Sequence, residues 1–254
     1  MRIESAVYGN RWRSASAGAK AGFALAGLSA ALAAPHAGAA LACALLMVTV
    51  TLCGARIAPG VYLRALLPAS SFLLLGALPL AFAIGFDANG GIELRWLPEA
   101  LPQIAHLLAR ALGAFAALLF LSLSTPLPDL IALARRLRVP AVLIDLMVLG
   151  YRTLFMLLRA LRDMHTAQDA RLGYSSARKS LRSGGLLTAN LIVDLLQRAR
   201  ALQLAAQARN QDGALRFLPA AETPHRTRDA ALAVLGAALL FVLAFALPAP
   251  GVVS

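Results

Sequence analysis

The sequence predicts an all-α polytopic membrane protein with about five transmembrane helices and two to three amphipathic helices on the cytoplasmic side. Hydrophobic residues make up 59% of the 254 residues and charged residues only 14%, whereas soluble domains carry about 25% charged residues. Several apolar runs approach the roughly 20 residues that a spanning helix needs. Most of the net charge of +12 lies in one long segment between the last two runs.

Each predicted span corresponds to one apolar run. The five runs are 21–34, 37–55, 65–86, 104–124 and 230–247. We expect the first two to form a tight hairpin in which the first is short or re-entrant. Prolines inside the third run are compatible with a membrane helix, because neighbouring groups satisfy the freed carbonyls.

The charges of the loops predict the orientation, since basic residues favour the cytoplasmic side. The first twenty residues hold four basic groups and one acidic group. Segment 126–228 holds sixteen Arg plus Lys against seven Asp plus Glu. The predicted organisation is therefore an N-terminal membrane region 1–125 with four spans, a cytoplasmic region 126–228, and a C-terminal transmembrane helix 229–254, with the N-terminus inside.

Arg110 lies within the fourth run, near one end. An arginine at the end of a span usually extends its side chain to the interface. We take this as the first interpretation, with a role inside the helix bundle as the alternative.

The basic segment has helical periodicity interrupted by turn signals. A short amphipathic helix over 127–138 should end at Val139-Pro140, because proline disfavours helix in the preceding residue. A second helix is predicted from Ala141 to about Leu172, apolar in its first half and polar in its second. Glycines 173, 184 and 185 predict a break, followed by a third helix over 186–209.

Both long helices end in a short Ala-Arg unit. The first is Ala170-Arg171-Leu172-Gly173 and the second is Ala208-Arg209-Asn210. The helix dipole favours a cation at a C-terminus, which would explain one such arginine without any function. Two similar endings are less expected by chance, and an arginine at a helix end can form two parallel hydrogen bonds to a partner's carboxylate.

These residues resemble the T component of energy-coupling-factor (ECF) transporters, of the CbiQ type found in cobalt and nickel uptake systems. The resemblance covers nearly the whole chain. It is carried by five stretches: Leu123–Ile131, Leu137–Pro140, Tyr151-Arg152, Gln197–Arg200 and Ala208–Arg216.

The resemblance implies a role for the two Ala-Arg units. In the family, two Ala-Arg-Gly units end two cytoplasmic coupling helices and insert into grooves on two ATPase subunits. The implied ATPase-coupling residues here are Ala170, Arg171, Leu172, Gly173, Ala208, Arg209 and Asn210. Leu172 and Asn210 replace the family glycines, and we expect Gly173 and Asn210 to supply the positive φ of the cap.

The resemblance also implies partners and a location. The partners are two copies of an ABC-type ATPase, a substrate-binding membrane S component of the CbiM type, with or without a small CbiN-like subunit, and the lipid bilayer. The location is the bacterial inner (plasma) membrane. The implied function is the coupling (T) subunit of an ECF-type importer for cobalt ions, with nickel or a vitamin as alternative substrates.

The chain is not expected to be an enzyme. Neither Lys20 nor Lys179 follows the glycines of a phosphate-binding loop, so a partner would hydrolyse ATP. The four histidines have no metal-ligand spacing, and no metal or cofactor is predicted. Asp145 and Asp194 lie in largely apolar helices, and we expect them to form structural ion pairs with Arg152 and Arg198 rather than proton relays.

Three other functions remain open. A standalone secondary carrier would need functional polar groups within the spans, and these are few. A membrane enzyme acting on anionic lipid would need a catalytic set of residues. Nucleic-acid binding is disfavoured, because aromatic residues hardly interleave with the arginines, and adjacent spans explain the positive charge.

Overall fold

A computed structural model describes residues 10–86, 92–209 and 226–246. In these residues it contains eight α-helices and one two-stranded antiparallel sheet. The helices are α1 Ala17–Ala33, α2 Ala37–Thr49, α3 Pro59–Ala77, α4 Leu101–Ser124, α5 Leu127–Arg136, α6 Ala141–Ala170, α7 Ala177–Ala208 and α8 Arg226–Ala246. The strands are β1 Phe82–Phe86 and β2 Ile92–Trp96. The predicted helical fold class is confirmed, and the sheet is an addition to it.

The described residues fall into two compact units. One runs as far as Leu133 and includes α8, and the other begins at Ala134 and includes α6 and α7. The first unit contains the closely packed membrane-type helices. The second contains both predicted Ala-Arg units.

Five helical segments are long and apolar enough to cross a membrane, which agrees with the predicted number. They are Ala37–Gly54, Pro59–Ala81, Pro98–Ser124, Ala141–Ala170 and Thr227–Ala246. The set differs from the predicted one in two places. Helix α1 has 17 residues, about 25 Å, and falls short of a bilayer core of about 30 Å. Helix α6, predicted on the cytoplasmic side, meets the criterion by length and composition alone.

The third predicted span, 65–86, is wrong at both ends. Helix α3 begins earlier, with Pro59 in its first turn, where a missing N–H costs nothing. It ends at Ala77, because the next helical hydrogen bond would need an N–H on Pro79, which proline lacks. A 3₁₀ turn follows, and Phe82–Phe86 then pairs as a strand with Ile92–Trp96.

The core of the first unit is built from small residues and a few aromatic rings. Gly113 of α4 lies against α1 and α2, so that an added Cβ would stand 2.8 Å from the Ala31 Cβ. The Phe23 and Phe120 rings meet edge to face with centroids 5.3 Å apart. Close approach through small residues is the usual way in which membrane helices pack.

A polar cluster joins the N-terminal ends of α1 and α8 to the C-terminal end of α4. The buried Lys20 Nζ donates to the Ser124 carbonyl at 3.2 Å. The Ser16 backbone N–H donates to Asp229 Oδ2 at 2.8 Å. Asp129 and Asp229 both lie within electrostatic range of the Lys20 ammonium. The Asn10 side-chain amide also donates to the Ser124 carbonyl, at 3.4 Å, so two side chains satisfy a carbonyl that has no helical partner at the end of α4.

Arg110 is half-buried. Its Nη2 donates to the Ala34 carbonyl at 3.0 Å, just after the last residue of α1. The guanidinium thus satisfies a carbonyl that the turn after α1 leaves without a helical partner. Because this turn joins two apolar helices, the contact fits both interpretations of Arg110, and each stays a prediction.

Replacing Lys20 with Met should destabilise the chain by about 1–3 kcal/mol, because the Ser124 carbonyl would lose a charged donor and two nearby aspartates would lose a cation. The thermal unfolding midpoint in detergent measures this effect. Lys179→Met is the matched control, since Lys179 is exposed and should tolerate the change. Equal midpoints for both variants would contradict the assignment of a structural role to the cluster.

Candidate functional site

The second unit contains two long helices joined by a short turn. Helix α6 has 30 residues and α7 has 32. The turn between them starts at Arg171, and Ser176 caps α7 by accepting the Lys179 N–H at 3.4 Å. The predicted start of the third helix at 186 is wrong, because this cap begins the helix nine residues earlier and Gly184-Gly185 lie inside it.

The two helices also contact each other away from the turn. Arg198 Nη1 approaches the Met156 Sδ at 3.7 Å. Arg198 Nε donates to Asp194 Oδ2 at 2.9 Å, so the predicted helical ion pair is confirmed. These contacts hold Arg198 within the hairpin and distinguish it from the arginines at the helix ends.

Arg171 occupies the C-cap position of α6. Its φ of −94° and ψ of 17° depart from helical values, and Ala170 is the last helical residue. The Arg171 N–H donates to the Gln168 carbonyl at 3.1 Å. The guanidinium thus starts from the end of the helix rather than from its side.

The residues after Arg171 form a complete Schellman cap. The Leu172 N–H donates to the Asp169 carbonyl and the Gly173 N–H to the Gln168 carbonyl, both at 2.9 Å. This pattern requires a left-handed residue one position beyond the cap. That residue is Leu172, with a φ of 56°. The expectation that Gly173 supplies the positive φ is therefore wrong, because the hydrogen-bond pattern, counted from the last helical residue, selects Leu172.

Gly173 is needed for close packing instead. The Ser183 hydroxyl donates to the Gly173 carbonyl at 2.9 Å. A Cβ on Gly173 would lie 2.7 Å from Ser183 Oγ and 2.9 Å from the Gln168 carbonyl oxygen. Any larger residue would push α7 away from the end of α6.

Two ring contacts further fix the turn. The Tyr174 hydroxyl donates to Gln168 Oε1 at 2.9 Å. The Tyr174 and His165 rings stack with centroids 4.6 Å apart. The sequence analysis did not predict the contacts of Tyr174, His165 and Ser183. One signal was available: if Ser176 caps a helix, Ser183 lies two turns into that helix.

The second Ala-Arg unit repeats the geometry of the first. Ala208 is the last helical residue of α7, and Arg209 follows with a φ of −97° and a ψ of 9°. The Arg209 N–H donates to the Ala206 carbonyl at 3.1 Å. Asn210 lies outside the described residues, so its predicted cap conformation stays a prediction.

Both arginines are exposed. Neither guanidinium bonds to another residue in the part of the chain that the structure describes. Arg209 stands at the opposite end of α7 from the turn that holds Arg171. A 32-residue helix is ~48 Å long at 1.5 Å per residue, so one binding groove cannot accept both side chains.

The described residues contain no group of three or more His, Cys, Asp or Glu side chains arranged to hold a metal ion. His36 instead caps α2, with Nδ1 accepting the Ala39 N–H at 3.1 Å. His165 stacks on Tyr174 in the turn. These two histidines have structural contacts that account for them.

Comparison with known proteins gives a consistent result. A model of the CbiQ family, described as cobalt transport protein, matches residues 9–217. The cobalt transport protein CbiQ of Rhodobacter capsulatus is 35% identical over 216 residues, which is 85% of this chain and 86% of that protein. The CbiQ of Salmonella typhimurium is 30% identical over 135 residues, or 50% of this chain and 60% of that one. A protein named as a fused cobalt transport protein CbiMQ, from Methanocorpusculum labreanum, is 32% identical over 161 residues, or 63% of this chain and 26% of the fused one.

Replacing Leu172 with Gly should raise the free energy of unfolding by about 0.5–1 kcal/mol, because glycine adopts positive φ without a Cβ clash and this gain exceeds its entropic cost. The thermal midpoint in detergent measures the change. Leu172→Ala is the control, since alanine keeps the Cβ and should leave the midpoint unchanged. A glycine variant no more stable than the alanine variant would argue against strain at this position.

Proposed function

The chain belongs to the CbiQ family of cobalt transport proteins, and we propose that it is the transmembrane coupling (T) subunit of an ECF-type importer for cobalt ions. It transmits the motion of two ABC-type ATPase subunits to a substrate-binding membrane subunit. It does not hydrolyse ATP itself. Its location is the bacterial inner membrane, with residues 126–228 on the cytoplasmic side.

The observation that carries this proposal is the pair of exposed arginines at matching C-cap positions. Each guanidinium projects from a helix end and is free to bind a carboxylate in a groove of another protein. Their separation by the length of α7 calls for two separate grooves, as two ATPase copies provide. Ala170, Leu172, Gly173 and Ala208 shape the described helix ends so that a partner can approach closely, and Asn210 belongs to the proposed site by its place in the sequence.

The hairpin has the properties that transmission of motion requires. The turn at Arg171 is closed by backbone, hydroxyl and ring contacts, so displacement of one helix end displaces the other helix as well. The first half of α6 exposes large apolar side chains, and Val142 is 69% exposed. Such a surface fits burial against membrane-embedded partners or lipid, while the polar half reaches the cytosol.

The substrate-binding partner is a CbiM-like S component, with or without a small CbiN-like subunit. The support is the relative named as a CbiMQ fusion, in which one chain carries both names. In this proposal the metal ion is the substrate of the S component, and this chain does not select it. Nickel or vitamin transport would use the same coupling surfaces.

A standalone secondary carrier is favoured by one observation. Among the described residues, Tyr62 Oη, His106 Nδ1 and Arg110 Nε are buried side-chain atoms without a hydrogen-bond partner. Such atoms within membrane helices are costly and often functional. Cobalt transport by the purified chain alone in proteoliposomes, without ATPase or ATP, would favour the carrier over the coupling subunit.

Reversing both end charges, with Arg171→Glu and Arg209→Glu, should abolish ATP-dependent cobalt uptake. Each loss should weaken ATPase binding at least ~30-fold, because a desolvated charge pair becomes a like-charge contact. Copurification of the ATPase with the tagged chain and uptake of radioactive cobalt measure the two effects.

The control for this charge reversal is Arg159→Glu with Arg200→Glu. It makes the same charge change at exposed positions of α6 and α7, each more than two turns from the end of its helix. It should leave ATPase binding within a few-fold of wild type, since exposed charges contribute little. Unchanged binding and uptake in the Arg171 and Arg209 variant would refute the coupling mechanism.

Single cysteines at Leu137 and Ser175, which flank α6, should react only from the cytoplasmic side. The background carries Cys43→Ala and Cys53→Ala, and Glu99→Cys is the control expected to react from outside. A membrane-impermeant maleimide applied to intact cells and to inside-out vesicles measures the accessibility. If α6 crossed the membrane, Leu137→Cys and Ser175→Cys would react from opposite sides, and the two arginines would not share the cytosol.

A further inference from the structure

Leu172 is an apolar side chain held in an unfavourable backbone conformation and left in solvent. Its φ is 56° and it is 69% exposed. The other two non-glycine residues with positive φ among the described residues are Arg56 and Arg138, both charged. Glycine would close the same cap without a Cβ clash.

Neither the stability of the fold nor the cap motif explains why position 172 is a leucine. The hydrophobic contact that usually accompanies a Schellman cap involves the residue after the left-handed one, which is Gly173. The Leu172 side chain is too exposed to contribute to a core. Backbone strain kept at an exposed position is a reason to look for a binding role.

We propose that Leu172 is an apolar contact with the ATPase subunit that receives Arg171, and that this subunit has an apolar pocket beside its acidic group. The inference rests on the proposed coupling function and specifies the surface of its partner. Consecutive Cα atoms are about 3.8 Å apart, so a surface that binds the Arg171 guanidinium also lies within reach of Leu172. The positive φ turns the leucine out of the helix path, beside the arginine.

The two helix ends therefore differ in chemistry. In the sequence, leucine follows Arg171 and asparagine follows Arg209. Burial of a leucine side chain in an apolar pocket contributes favourable binding free energy. Burial of an asparagine side chain there does not, because its amide would lose hydrogen bonds to water. The first end binds its ATPase more tightly than the second.

A protein pocket accounts for the geometry better than the lipid surface does. The turn is fixed by the Ser183–Gly173 and Tyr174–Gln168 hydrogen bonds, so the Cα–Cβ bond of Leu172 has one direction before binding. Preorganisation of this kind favours a partner with a complementary shape. A fluid lipid surface would accept the side chain in any orientation.

The test is a series at position 172 in the full-length chain, reconstituted in nanodiscs and titrated with the ABC-type ATPase that copurifies with the wild-type chain. Leu172→Ala should weaken binding about 10-fold by removing most of the buried side chain. Leu172→Met should bind within a few-fold of wild type. Leu172→Gly should bind as weakly as Leu172→Ala although its thermal midpoint rises, a combination that a purely structural role would not produce.

Leu181→Ala is the matched control, because Leu181 is 82% exposed on the first turns of α7. It should bind like wild type. Wild-type affinity of Leu172→Ala would overturn the inference, as would an equal loss with Leu181→Ala. A loss seen in nanodiscs but absent in detergent would assign the contact to lipid and overturn it as well.

The same titration separates failure of this inference from failure of the proposed function. If Arg171→Glu abolishes binding while Leu172→Ala does not weaken it, only the apolar contact is refuted. If the Arg171→Glu and Arg209→Glu variant still binds the ATPase, the coupling function itself is refuted.

Discussion

The carbonyl of Gln168 is the single group on which the site depends. It accepts the N–H groups of Arg171 and Gly173, at 3.1 and 2.9 Å. Helix ends leave their last carbonyls unpaired, and these two bonds close the end of α6 within the chain. The helix must therefore stop at Ala170, which places Arg171 at its end and turns Leu172 outward. The direction of α7 follows, because Ser183 bonds to the same turn.

Much of this arrangement could be predicted from the sequence. The two Ala-Arg units, the polar second half of α6 and the Asp194–Arg198 pair follow from periodicity and spacing. The left-handed residue could not be assigned, because residue preference favours Gly173 whereas the hydrogen-bond pattern selects Leu172. The break predicted at Gly184-Gly185 is also wrong, since both glycines lie inside α7. Each glycine costs about 1 kcal/mol in a helix, and the cap at Ser176 together with packing of Ser183 against the turn compensates for this cost.

The membrane region shows a different limit of sequence reasoning. Hydropathy identifies surfaces that avoid water, but it does not say whether lipid, another helix or a partner covers them. Helix α6 therefore meets the length and composition of a span although its second half is polar. Helix α1 shows the reverse case. It is too short to meet the criterion for a span, yet it packs against α2, α4 and α8 through small residues. Contacts such as Lys20–Ser124 and Arg110–Ala34 pair cations with carbonyls at helix ends, which hydropathy does not detect.

If α6 and α7 transmit force, as we propose, their joint must meet a demand that binding alone does not make. A nucleotide cycle can shift the membrane partner only if it favours one arrangement of the complex over another. A flexible turn at residues 171–176 would absorb a displacement of either arginine. Hydrogen bonds from Ser183 and Tyr174 and the ring stack of His165 close that turn, so displacement at one end is carried along ~48 Å of helix to the other. The strain retained at Leu172 is consistent with this requirement, because an interface that must resist force gains from each contact that is fixed before binding.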